Sequence, residues 1–272
     1  MSVFQGDFLG FQLGNEHSYG INITRVSTND RYQDMLLPTF TDAVVQVPGG
    51  DGTYYWDTYY TQKPFTVDFA FDDLRDEDLR KLRQMFAKKE IQPLIFDEFP
   101  YKKYMVKCAQ PPQLKYLCFD WQEFRIYKGE GTVQFVAYYP FAFATRSPSL
   151  AYAGASAFAE IHNTGDMPAN LQITYDLQQV NGAISIELRA DPNKPAIAQL
   201  NLTAVEHVAG DRYILIDSQT QLIEGLNASK EKTGNLYNKY IDSGDFFWPP
   251  VGRSYLSSNQ PFESAQYTPL YY

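Results

Sequence analysis

Three histidines (His17, His162 and His207) and two cysteines (Cys108 and Cys118) are the side chains best suited to hold a metal or attack a substrate. The histidines stand far apart, each without an acid or a cysteine at ligand spacing, and the ten-residue step between the cysteines matches no zinc signature. The cysteines read as small buried apolar residues, or as a cross-strand disulfide if Pro111-Pro112 turns the chain between them. There is no Gly-x-Ser-x-Gly elbow, no phosphate loop, no His-Glu-x-x-His and no calcium loop. Gly49-Gly50-Asp51-Gly52 is followed by no helix opening on Lys-Ser or Lys-Thr, so a turn explains it better than a phosphate cradle. The 32 acidic residues could supply a carboxylate pair on any β-sandwich, and their presence alone selects no hydrolase. The Asn-x-Ser/Thr triplets at Asn22, Asn201 and Asn227 are expected to be chance. No catalytic residue, metal or cofactor is expected.

What the chain concentrates instead is aromatic side chains. Residues 44–71, VVQVPGGDGTYYWDTYYTQKPFTVDFAF, read as strands about a Gly-rich turn. Val44, Val45 and Val47 lead in, 48–52 is the punctuation, and Tyr54, Tyr55, Trp56, Tyr59 and Tyr60 return. Successive strand residues point to opposite faces, so this strand carries rings on both faces and needs two covers. One can be the domain's own core. The other is most simply a second copy of the chain, because a large apolar face in water is normally an interaction surface. The bland alternative is a wide loop lined by half-wet tyrosines. Tyr54, Tyr55, Trp56, Tyr59 and Tyr60 are therefore expected at a subunit interface.

At 272 residues, with 44% hydrophobic and 16% aromatic content, the chain has material for packed cores and a length that suggests two domains. A net charge of -9 argues against a dedicated nucleic-acid or anionic-membrane binder. Before Ser147 there are 16 basic and 19 acidic residues, and from there on 7 and 13, so neither half is basic. The start, MSVFQGDFLG, lacks the charged and apolar regions of a signal peptide. The longest apolar-aromatic run, 133–144, is interrupted by Gln134 and Pro140 and falls short of the ~20 residues a membrane span needs. Folding in a reducing cytoplasm, with no membrane insertion, is the expectation.

The elements that would position the aromatic hairpin follow from pattern. Short opening strands are expected at 8–13 and 20–26, with an irregular segment at 30–38, and the strand 66–71 alternates so that one face looks into a core. Leu79, Leu82, Met85 and Phe86 recur at helical steps; Asp76, Glu77 and Asp78 crowd the start and Lys88 and Lys89 the end, in the order that complements a helix dipole. Strands are expected at 94–96, 104–108, 116–119, 124–127 and 132–139, with Gly129-Glu130-Gly131 turning the chain and a charged turn at 97–103. The first half, 1–146, thus reads as an antiparallel β-sandwich or barrel with one α-helix. Small residues, Pro and Gly over 147–156 look like a linker. Residues 157–272 read as a galectin-like or jelly-roll β-sandwich, with strands at 158–161, 171–175, 183–188, 199–202 and 213–217, turns at 163–166 and 180–183, and Asn181-Gly182 as a hairpin signal. Near its end Phe246, Phe247 and Trp248, with Tyr237, either form a partner or sugar-stacking patch or fill a core or the interface between the halves.

Taken together, 47–74, the helix DEDLRKLRQMF, LIFDEFPYKKYMVK, LKYLCFD and RIYKGEGTVQFVAYYPFA resemble the amino-terminal domain of the distal tail protein (Dit) family of long-tailed bacteriophages. LYNKYIDSGDFFWPPVG is similar to the family's carboxy-terminal galectin-like domain. The resemblance implies a structural virion component and not an enzyme: a hexameric ring at the tail tip whose first domains join the tail tube to the hub. Its second domains would face receptor-binding and other baseplate proteins, and viral DNA would pass through the channel without specific binding. A carbohydrate-binding protein contacting the host cell wall is the alternative reading.

Overall fold

The computed structural model describes residues 23–24, 38–46, 51–74, 76–95, 99–120, 126–152, 154, 157–203 and 210–272. The described residues divide into two compact units, one up to Thr145 together with Tyr272, the other Arg146–Tyr271. The expected strand at 8–13 and most of the expected irregular segment at 30–38 lie outside them. So do residues 47–50 of the expected turn, Asp97 and Glu98, and His17 and His207.

The first unit contains strands β1 (Ile23–Thr24), β2 (Phe40–Gln46), β3 (Thr53–Tyr60) and β4 (Lys63–Leu74), helix α1 (Asp76–Phe86), then β5 (Gln92–Leu94), β6 (Lys102–Asp120), β7 (Ile126–Ala137) and β8 (Ala142–Ala144). Its main sheet runs β1-β4-β7-β6-β8, all antiparallel, with β5 also on β6. Helix α1 forms where the sequence predicts it, and the apolar stripe buries Leu79 and Phe86. The Phe86 ring lies 6.3 Å from that of Phe135 on β7, and Phe65 packs 4.8 Å from Tyr104.

Three expectations change here. Residues 102–120 form one continuous strand, so Pro111-Pro112 is not a turn; the register shifts between Cys108 and Gln113 absorb the two missing backbone donors. Cys108 and Cys118 therefore lie on the same strand. At ~3.3 Å per residue they are on the order of 30 Å apart, far beyond disulfide reach, and Cys108 is a free thiol. Gly129 and Gly131 likewise sit inside β7 and turn nothing; both are buried in a central strand paired on each side, where a residue without a side chain fits between large neighbours.

β2 and β3 stand apart from that sheet as a two-stranded ribbon. Such a ribbon is marginal by itself in water, and its root is where it is held. Thr61 donates its backbone N–H to the Thr39 carbonyl at 2.7 Å and its hydroxyl to the same oxygen at 3.0 Å. Tyr60 meets the buried Phe141 edge-on at 5.3 Å and Tyr272 at 6.4 Å, while Phe141 and Tyr272 are 6.0 Å apart. Three residues on, the buried Lys63 lies against the Tyr104 ring at 5.1 Å and donates to its hydroxyl at 3.4 Å, and that hydroxyl donates to the Tyr272 carbonyl at 3.3 Å.

The second unit contains β9 (Ser149–Leu150), β10 (Ala159–Asn163), β11 (Met167–Asp176), β12 (Ile184–Arg189), β13 (Ala198–Leu202), β14 (Tyr213–Asp217), β15 (Leu222–Leu226) and β16 (Lys232–Asn235). The one-turn helix α2 (Tyr237–Tyr240) follows, then β17 (Ile241–Gly244), β18 (Gly252–Ser258) and β19 (Ser264–Tyr271). One sheet runs β19-β11-β14-β15-β16, with β9 also on β19; the other runs β10-β18-β12-β13-β17. Alternation explains the packing: Ile184, Ile186 and Leu188 of β12 and Leu200 and Leu202 of β13 turn inward to meet Leu171, Ile173, Ile214, Ile216 and Ile223. Polar links cross this apolar layer: the hydroxyls of buried Tyr175 on β11 and Ser258 on β18 lie 2.9 Å apart, and Tyr267 on β19 donates its hydroxyl to the His162 carbonyl on β10 at 3.1 Å. Burial pushes the Tyr175 phenol well above its ordinary pKa.

Two expectations change in this unit as well. Ser149–Leu150, inside the stretch expected to be a linker, pairs with Gln266 and Ala265. Asn181-Gly182 does not close a hairpin, because β11 and β12 belong to different sheets; Gly182 uses its positive φ (97°) in a crossover. The expected turn at 163–166 does form, and buried Asn163 builds it by donating to the carbonyls of Met167 (2.7 Å) and Pro249 (3.2 Å) while accepting from Gly165 N–H.

Two outcomes follow. Gly244 has φ 107° and no room for a Cβ against the Gln199 carbonyl, so Gly244→Ala is expected to destabilise by roughly 2–5 kcal/mol in thermal unfolding. Gly234→Ala, which meets open space, is expected to change stability by only ~0.5 kcal/mol. Tyr60→Ala removes two aromatic contacts, each worth about 0.5–1.5 kcal/mol, and is expected to speed hydrogen exchange in β2 and β3 while leaving β6 and β7 protected.

Candidate interaction surface

The aromatic stretch forms a hairpin strand, as its pattern predicts, and not a loop. Its exposure goes beyond the expectation, which allowed the domain's own core as one cover. Trp56 is 78% exposed and Tyr54 70%, with Tyr55 and Tyr59 also more than half exposed; Tyr60, held at the root, is 40% exposed. Both faces of the ribbon are open.

Pairing shows how the rings are shared between the faces. Phe40 faces Tyr60 and Val44 faces Tyr55, whereas Thr41 faces Tyr59 and Val45 faces Tyr54. Cross-strand partners share a face, so Tyr55 and Tyr60 lie with Phe40 and Val44 on one side, and Tyr54 and Tyr59 lie with Val45 on the other. Strict alternation would separate residues five apart. They are kept together because Trp56 is an extra residue in a bulge, opposite no partner where the register shifts between Ala43 and Val44. The first face also carries a polar line, in which Thr58 donates to Asp42 at 2.5 Å and the Tyr55 and Thr58 hydroxyls are 2.7 Å apart. The second has no such line among the described hydrogen bonds. The two faces are chemically distinct.

Phe40, exposed beside Tyr60, belongs to this surface and was not among the residues singled out from sequence. Hairpin register was part of the signal: counted back from Val44 opposite Tyr55, strict pairing brings Phe40 opposite Tyr59, and the bulge at Trp56 moves it to Tyr60. Phe141 and Tyr272 were missed for a different reason: their role depends on contacts 81 and 212 residues from Tyr60 that no local pattern encodes.

In the second unit the cluster of Tyr237, Phe246, Phe247 and Trp248 divides. Phe247 is fully buried in the sandwich core. Its neighbours turn the other way, so that Tyr237, Phe246 and Trp248 line a cleft of about 470 Å³. The Tyr237 and Phe246 rings are parallel within 14°, with centroids 6.0 Å apart.

Nothing in the described chemistry competes with these surfaces. Among the described residues no three His, Cys, Asp or Glu side chains lie close enough to hold a metal, and no helix is long and apolar enough to cross a membrane. Burial pushes the Cys108 thiol above its ordinary pKa, away from a reactive thiolate.

Against known proteins, the family model of the phage tail protein RIFT-related domain matches residues 20–137. The distal tail protein Dit (gp 19.1) of phage SPP1, described as a paradigm of the hub adsorption apparatus in phages infecting Gram-positive hosts, is similar over 89% of this chain and 93% of its own, with a TM-score of 0.57 at 15% identity. Chains of the phage P2 baseplate in its activated conformation are similar at 11% identity. With Ca the likeness covers 89% of each chain at a TM-score of 0.47, and with Sr 88% of this chain and 89% of that one at 0.44. No curated protein matches the sequence. The family model falls within the first unit, and the Dit likeness carries the fold of the chain.

Proposed function

We propose that this protein is a phage tail component and a ring-forming adaptor: six copies close into an annulus that joins the tail tube to the baseplate hub, and the second units dock receptor-binding or other adsorption proteins. The observation that carries this reading is the ribbon of β2 and β3, rich in exposed aromatic rings on both faces and held, among the described residues, at its root. A closed cyclic assembly uses a head-to-tail interface, in which one patch of each copy meets a different patch of the next. A projecting ribbon with two unlike faces supplies a patch of that kind, and its seating against a neighbour removes apolar surface that water would otherwise face. Tyr54, Tyr55, Trp56, Tyr59 and Tyr60 are the proposed subunit contacts, with Phe40 added.

The net charge of -9 suits a conduit that viral DNA traverses without specific binding, because a net negative charge repels a phosphate backbone. No bond-making step is assigned to the protein.

Light scattering of the purified chain is expected to give the mass of six 31.2 kDa copies. Replacing Trp56 and Tyr59 together by Ser should leave a folded monomer with an unchanged far-ultraviolet circular dichroism spectrum. A wild-type chain that stays monomeric at high concentration, or a double variant that still assembles, overturns the proposed interface.

A further inference from the structure

The cleft of the second unit has a composition that neither the sandwich core nor the ribbon needs. We propose that it binds a neutral sugar, by stacking one pyranose ring on its aromatic wall. Three features of the lining carry this. Past the end of β17, Phe247 enters the core while Phe246 and Trp248 line the cleft beside the parallel Tyr237 ring. The open faces of these half-buried rings match the C–H face of a sugar, which is apolar, while the rim of the same sugar is all hydroxyl.

The second feature is the polar rim. Asn235, Asn238 and Asp245 line the same cleft. Asn235 commits its side-chain oxygen to the Tyr237 backbone N–H at 2.9 Å, which leaves its NH₂ to donate outward. Asp245 holds its backbone N–H on the Gln199 carbonyl, and its carboxylate is an acceptor pair matched to two vicinal hydroxyls. Gly244 makes this possible, since only a residue without a Cβ lets the chain pass Gln199 and bring Asp245 and Phe246 to the cleft.

The third feature is charge. The lining contains a carboxylate and neither lysine nor arginine, so an anionic sugar or a phosphate is repelled and a neutral ring is selected. The volume, about 470 Å³, falls within the roughly 300–1,000 Å³ usual for small-ligand clefts.

The test is saturation-transfer nuclear magnetic resonance of the full chain with free glucose, galactose, rhamnose and N-acetylglucosamine, and with glucuronate as the anionic control. At least one neutral sugar is expected to bind saturably, with an affinity that changes little between low and high salt. Glucuronate is expected to bind about ten-fold more weakly. Trp248→Ala and the milder Asp245→Asn are each expected to weaken the neutral sugar by about ten-fold, the loss of ~1.4 kcal/mol. Phe158→Ala, at the smaller pocket on the other sheet, should have no effect. A flat response to every saccharide overturns the proposal, as does binding that both cleft variants leave unchanged. If Trp248→Ala abolishes capture of a baseplate protein while no saccharide binds, the cleft is a protein-docking site and the sugar assignment fails.

Discussion

The aromatic clamp at the root of the β2–β3 ribbon is the contact on which the first unit's presentation rests. Two strands alone bury too little to stay folded in water. Here the ribbon draws its stability from one end, where Tyr60 is held between Phe141 and Tyr272, and where buried Lys63 and Tyr104 tie the next strand to the same group of rings. Lys63 is an unusual choice for such a place, because a buried ammonium loses its hydration. Its position against the faces of Phe65 and Tyr104 offsets part of that loss through the ring quadrupoles. Anchored there, the rest of the ribbon can leave its rings exposed.

The bulge at Trp56 then decides what is displayed. Without the extra residue, the tyrosines at 54 and 59, and those at 55 and 60, would fall on opposite faces and each side would show a mixed set. With it, each pair shares a side, and Trp56 marks the position where the ribbon's twist increases. A surface arranged this way is directional: one side is laced by Asp42, Thr58 and Tyr55, while the other offers Tyr54, Tyr59 and Val45. Direction is what separates a ring-forming contact from a two-fold one, in which a patch must complement itself.

Much of this was legible in the residues because it is local. The aromatic return strand and the stripe of α1 are both set by neighbours within a dozen positions. What was not legible depended on distant partners. Pro111-Pro112 looked like a turn because proline removes ladder donors, but register shifts against β7 let the strand run through. Gly129 and Gly131 looked like breakers until two flanking strands made a side-chain-free position useful. Asn181-Gly182 carries the chemistry of a tight turn, yet its strands go to separate sheets. In the second unit, composition alone could not tell Phe247 from Phe246 and Trp248, since the choice between core and cleft depends on which sheet lies behind each ring.

The Tyr175–Ser258 link is a small feature of the second unit with a mechanical meaning. It is a polar bolt through an oily layer, and Ser258 passes it on by donating to the Gln260 carbonyl at 2.7 Å. Sliding one sheet over the other by a single residue would strand both hydroxyls out of reach of water, at about 1–3 kcal/mol each, before any greasy surface were uncovered. Apolar packing tolerates slippage and this link does not, so the sandwich is stiffer in shear than its side-chain inventory suggests.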